Sequence, residues 1–268
     1  MIKKAAPSRK MLPILFLIDV SGSMEFDAKI DSVNTAMNEA LEELDARMSS
    51  STDQEIMVNV LKFGCSEGEP CQWMYDSMTQ LNAFTWTNLE AESNTPLGEA
   101  YVELDRRLSS HGDGFLTSPS GSYAPVIILI SDGAPSNRKK AAEGLDLLNT
   151  NSWFVHSERM AIAVGMTEND DTTFLDDFVR GSENGKVFHE VSNATALIAA
   201  IKGIVINTAM IGATRLKPGN DAYKQQLNNL HEESPEEESE EEDDDEGGIE
   251  EPQPEPGSAS NEEEEQDP

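Results

Sequence analysis

Residues 11–212 alternate strand-like and helix-like segments, which predicts an α/β fold: a doubly wound, mostly parallel sheet with one antiparallel edge strand. Three observations carry this expectation. Short apolar runs recur along the segment, stripes of helical period fall between them, and only one pair of runs is close enough in sequence for a hairpin.

The first strand is read at 14–18, a continuous apolar run suited to a strand buried on both faces. Ile30, Val33, Met37, Leu41 and Leu44 then recur every three or four residues, so a helix follows with one apolar face for the sheet. Strands at 55–63 and 73–77 form the expected hairpin. The segment 99–110 repeats the helical stripe through Tyr101, Leu104 and Leu108. Pro96 suits the first position of that helix, with Thr95 at its N-cap or just before it. A strand at 126–130, a helix at 139–148, a strand at 160–164, a helix at 172–179 and a strand at 186–189 complete the alternation. The last helix is expected at 196–210, with Leu197, Ile201, Ile204 and Val205 facing inward.

Asp19, Ser21 and Ser23 leave the first strand at alternate positions, so a carboxylate and two hydroxyls can point the same way. Gly22 between the serines lets the backbone turn tightly. A hard divalent cation such as magnesium takes oxygen ligands and keeps several waters, which this donor set suits. In isolation the same residues also suit an ordinary strand-to-helix connection. Thr95 and Asp132 add oxygen donors from two further segments, Asp132 directly after the apolar run 126–130. Ligands in doubly wound sheets bind beyond the carboxyl ends of strands where the winding reverses, and both aspartates fall at such ends.

The phrases Leu17-Ile18-Asp19-Val20-Ser21-Gly22-Ser23-Met24, Thr95 within Asn94-Thr95-Pro96-Leu97-Gly98, and Ile130-Ser131-Asp132-Gly133 resemble a von Willebrand factor A (VWA) domain with a metal-ion-dependent adhesion site, MIDAS. The resemblance spans residues 11–210. Its details are most similar to small bacterial tellurite-resistance-associated (TerY-like) proteins, although Ser93-Asn94 stands where many relatives carry Gly-Gly. The resemblance implies that Ser21, Ser23 and Thr95 coordinate magnesium, or manganese, through their hydroxyls, while Asp19 and Asp132 hold it largely through waters. It further implies an open position for an exposed Asp or Glu of a protein partner, a scaffold role in a stress or tellurite-resistance system, and a phosphatase or kinase as associate.

The chain has 268 residues and a net charge of −32; residues 232–268 hold 20 of its 51 acidic residues and none of its 19 basic ones. The tail is therefore at −20 and the remainder at −12, and a segment so charged lacks the apolar surface to offset ordering entropy. The chain divides by expectation into a basic extension at 1–10, the VWA domain at 11–212, a linker at 213–231 and a disordered tail at 232–268. Nucleic-acid binding is disfavoured by the charge. Lys3, Lys4, Arg9 and Lys10 before an apolar run imitate an export signal, but that run reads as the sheet's central strand, so a cytoplasmic location is expected.

Cys65 and Cys71 flank the hairpin turn, close enough for a disulfide as the alternative, and are expected reduced; two cysteines alone do not close a zinc site. His111, His156, His189 and His231 show no ligand spacing. Arg138, Lys139 and Lys140 follow the third motif closely and are candidates for a rim that steers an acidic partner, as is Trp86 before Thr95; a solvated helix face and ring packing are the ordinary readings. A metal-dependent binding module is the function these features favour, with no catalytic residues assigned. A magnesium enzyme acting on phosphate or ester substrates, and an acidic-tail chaperone or decoy for basic proteins, are the alternatives.

Overall fold

A computed structural model describes residues 9–48, 54–65, 68–117, 121–167, 169–189 and 194–214, and the expected linker, the acidic tail and His231 lie outside them. The chain divides into two units, residues 1–234 and 235–268, and every described residue belongs to the first.

Strand β1 (Lys10–Asp19) is the sheet's centre because its side chains are apolar on both faces. Leu12, Ile14, Phe16 and Ile18 enter one core layer, while Leu15 and Leu17 enter the other. Each such buried side chain contributes about 1.5–3 kcal/mol of transfer free energy. Around β1 stand β2 (Gln54–Phe63), β3 (Cys71–Trp73), β4 (Thr79–Gln80), β5 (Val126–Ser131), β6 (Glu158–Ala163) and β7 (Lys186–His189). The strand order is β3-β2-β1-β5-β6-β7, with β4 also pairing β2. Pairing is parallel from β2 through β7, whereas β3 and β4 run antiparallel to β2.

Helices cover both faces. Helix α1 (Lys29–Met48) buries the predicted stripe Ile30, Val33, Met37, Leu41 and Leu44, and α6 (Ala194–Thr214) lies on the same side with Ile201 and Ile204 buried. The side chains of Leu197 and Val205 are outside the described set. Helices α2 (Leu97–Arg107), α3 (Arg138–Leu148), α4 (Ser152–Val155) and α5 (Thr173–Val179) occupy the opposite face, where Tyr101, Leu104, Phe154 and Phe178 fill the second layer.

Two expectations change, and two segments left unassigned take on structure. The strand read at 73–77 does not form: β3 ends at Trp73 and β4 begins at Thr79, and between them the buried Asn59 side chain replaces the ladder, its Nδ2 donating to the carbonyls of Tyr75 (2.8 Å) and Ser77 (3.2 Å). Pro96 is the residue before α2 rather than its first, since Leu97 N–H bonds Thr95 O at 3.0 Å and holds Pro96 in a tight three-residue turn at φ −83, ψ 57. Residues Gly22–Ala28, unassigned from sequence, form a kinked 3₁₀ segment in which Asp27 and Ala28 take positive φ. Short α4 was likewise unassigned; four residues carry too little period to read.

Candidate metal centre

Winding reverses between β1 and β5, which pair directly from Ile14↔Val126 to Ile18↔Ile130. One residue further, Asp19 at the end of β1 stands beside Ser131 at the end of β5. The fully buried Asp19 carboxylate accepts from Ser131 Oγ on Oδ2 at 2.6 Å and from the Ser21 N–H on Oδ1 at 2.8 Å. Burial pushes the Asp19 carboxyl from 3.8 up to about 6; the bonds from Ser131 and Ser21 oppose that rise, and the nearby Asp132 charge adds to it.

The hydrogen bonds continue across the two loops. Ser21 Oγ lies 3.1 Å from Ser23 Oγ, and Ser23 Oγ donates to Asp132 Oδ1 at 2.7 Å. The second Asp132 oxygen accepts from Lys29 Nζ at 2.9 Å. Asp19, Ser21, Ser23 and Asp132 are thus brought into one cluster of oxygen donors, completed by the Lys29 ammonium.

Thr95 arrives by backbone stitching. Glu92 N–H bonds Val20 O (2.7 Å), Gly22 N–H bonds Ser93 O (2.8 Å), and Ser93 N–H bonds Gly64 O (2.9 Å), which fastens the chain before Thr95 to the first loop. On its other side Thr95 N–H donates to Ser136 Oγ at 2.9 Å, and Ser136 N–H returns a bond to Thr95 O at 3.0 Å. Thr95 is therefore held, 8% exposed, between the first and third loops. Among the described residues no three His, Cys, Asp or Glu side chains gather at metal-ligating range. The donor set is instead two carboxylates with hydroxyls, a composition suited to a hydrated hard cation rather than to a dense carboxylate cage.

The three basic residues proposed for the rim are each engaged in an ion pair. Arg138 is ion-paired with Asp171, Lys140 with Glu99 at 2.9 Å, and Lys139 with Glu143 at 3.7 Å; all three remain exposed. Trp86 is half-buried against the α1 layer and its indole N–H donates to Asn34 Oδ1 at 3.2 Å, so its ring packs beneath the loop. Cys65 and Cys71 are free thiols, and burial pushes Cys71 up to about 12.

Four residues of this centre were not singled out from sequence: Ser131, Ser136, Lys29 and Gly64. Ser131 had a signal, because a polar residue closing an otherwise apolar strand beside a candidate-ligand aspartate is poorly placed for packing alone. Gly64 also follows an apolar strand directly, but its partners are 43 and 30 residues away from it in sequence, at Ser21 and Asn94.

A profile of the von Willebrand factor type A domain matches residues 14–251. The chain belongs to this family. The match runs past residue 212, where the sequence reading ended the VWA domain. A search of curated protein sequences found no match. Among solved structures, the VWA domain is similar to the pilus adhesin SpaC from Lactobacillus rhamnosus GG (TM-score 0.52, 12% identity, 74% of this chain and 31% of that one). It is also similar to the vWF domain of the type V pili tip protein Mfa5 from Porphyromonas gingivalis (TM-score 0.51, 11% identity, 80% and 99%). A third is proximal thread matrix protein 1 from the mussel byssus, with a zinc-occupied MIDAS motif (TM-score 0.50, 16% identity, 74% and 46%). This chain spans about a third of the adhesin's length and under half of the matrix protein's. At these identities the likeness shows the fold. No helix among the described residues of the VWA domain is long and apolar enough to cross a membrane.

Proposed function

We propose that this VWA domain is a metal-dependent protein-binding module whose centre is a MIDAS. In this reading the hydroxyls of Ser21, Ser23 and Thr95 ligate a divalent cation, magnesium or manganese, and Asp19 and Asp132 hold it largely through water. The cation supplies an electrophilic position that a partner's Asp or Glu completes. One observation carries the proposal: Asp19 and Asp132, 113 residues apart, are joined through Ser21 and Ser23 into a single hydrogen-bonded oxygen cluster at the sheet's winding reversal.

The chain's own residues perform the positioning. Ser131 orients Asp19, Ser136 anchors the backbone of Thr95, and the Ser93 contacts hold that segment against the first loop. The basic residues that a phosphate clamp would need, Arg138, Lys139 and Lys140, are each paired with a carboxylate, which favours binding over catalysis. The resemblance to TerY-like proteins supports a scaffold role with an acidic partner protein.

Calorimetric titration with Mg²⁺ and Mn²⁺ tests the centre. Wild type is expected to bind one equivalent, and Asp19→Ala and Ser21→Ala to lose it while keeping their circular dichroism spectra. Equal binding by wild type and Asp19→Ala would refute the site.

A further inference from the structure

Lys29 places a positive charge inside a centre otherwise built to receive a cation. Its ammonium lies 2.9 Å from Asp132 Oδ2, and the pair is withdrawn from water, with side-chain exposures of 18% for Lys29 and 0% for Asp132. The lysine is not there by chance of a flexible chain. It follows Asp27 and Ala28, two non-glycine residues at φ 55 and φ 53, a conformation that costs of order 1 kcal/mol or more for each. Its stem runs against the backbone of Gly165 so closely that a Cβ there would stand 2.8 Å from Lys29 Cε. The segment Ser23–Lys29 is clamped at both ends on one carboxylate, Ser23 on Oδ1 and Lys29 on Oδ2.

The charge count then has a consequence. Asp19 and Asp132 carry −2 when ionised, and Lys29 returns +1; a divalent cation leaves the centre at +1, which one incoming carboxylate neutralises. Without the lysine, the loaded centre is already neutral and an incoming carboxylate makes it negative. The acid Asp170 also feels the Lys29 charge; it accepts from Thr167 N–H at 2.7 Å and Thr167 Oγ1 at 2.9 Å and stands exposed, where water screens its share in the count.

We propose that Lys29 is a specificity-determining residue of the metal centre, weakening binding of the cation alone and strengthening capture of a carboxylate by the loaded centre, so that metal and acidic partner bind cooperatively. The inference rests on the MIDAS reading above. By reciprocity, a carboxylate that binds the loaded centre better than the empty one also tightens the metal, and because Lys29 attracts the carboxylate, a given subsaturating carboxylate concentration tightens the metal more when Lys29 is present.

The test is Mn²⁺ binding followed by electron paramagnetic resonance, with and without sodium acetate as the carboxylate probe, on the full chain and its Lys29→Met and Lys29→Arg variants. Lys29→Met, which keeps the stem and removes the charge, is expected to bind Mn²⁺ about tenfold more tightly, the effect of one charge on a divalent ion across about 6 Å of water-like dielectric. In the same variant, the tightening that a fixed, subsaturating acetate concentration produces should shrink. Lys29→Arg should resemble wild type in both respects. The two shifts have opposite signs, which a purely structural role would not give. Lys29→Met binding Mn²⁺ no better than wild type, or retaining the full acetate effect, overturns the inference while leaving the centre in place. No Mn²⁺ binding by wild type, or equal binding by Asp19→Ala, overturns the metal reading and the role of Lys29 with it.

Discussion

Replacing Gly64 by alanine probes how the three loops are held together. Gly64 directly follows β2 at φ +107, beyond the narrow left-handed well that side-chain-bearing residues use. A Cβ there would stand 2.7 Å from Ser21 N, 2.8 Å from Asn94 O and 3.0 Å from Val20 C, all backbone atoms that no rotamer change can move. The left-handed backbone contributes about 1–2 kcal/mol, and forcing a methyl into packed backbone about 1–3 kcal/mol. Their sum, roughly 2–5 kcal/mol, is a large part of the stability of an ordinary domain. The atoms that must retreat belong to the Ser21 loop and to the residue before Thr95, so the strain falls on the proposed ligands. Urea unfolding in the presence of chelator reads the stability loss, and Mn²⁺ titration below the unfolding transition reads the site. We expect a loss of at least about 2 kcal/mol and weaker Mn²⁺ binding in the protein that remains folded. A loss under about 1 kcal/mol with unaltered Mn²⁺ affinity would refute the view that Gly64 seats both loops.

Asp19 makes stability and metal binding depend on pH in opposite directions. Its carboxyl is raised from 3.8 to about 6, so the folded chain holds a proton that the unfolded chain has released between those values. Stability in chelator should therefore fall as pH rises from about 4 to about 6, by up to about 3 kcal/mol, and level off above; Asp19→Asn should flatten that slope. Metal affinity should rise over the same window, since a cation binds the carboxylate, and a pH-independent Mn²⁺ affinity would contradict this. Elsewhere, the buried Arg159 donates to the carbonyls of Phe178 (2.8 Å), Arg180 (2.6 Å) and Phe154 (2.5 Å), closing the ends of α5 and α4. Arg159→Met should cost about 3–5 kcal/mol in urea unfolding by stranding these acceptors, with Mn²⁺ affinity in the folded protein unchanged; a cost below about 1 kcal/mol would show that water replaces the guanidinium.

The alternation of apolar runs and helical stripes was legible because each pattern reports a local period set by backbone geometry. Ile30, Val33, Met37, Leu41 and Leu44 announced the inner face of α1 from spacing alone, and Ile14 to Ile18 announced a strand covered on both sides. Asp19 and Asp132 were likewise visible, as acids ending apolar runs. The hairpin strand at 73–77 misled because the residue that breaks it, Asn59, lies on the partner strand and acts through its side chain.

What chain order could not carry was the meeting of distant parts. That β1 lies directly against β5 is a matter of sheet order, and it alone sets Ser131 on Asp19. That Lys29 reaches Asp132, and that Gly64 leaves room for Ser21 and Asn94, depends on contacts between segments 30 to 103 residues apart. Local periodicity fixes which face a residue takes; the charge, burial and spacing of the centre arise from packing between faces, and these exist only once the sheet has closed around β1.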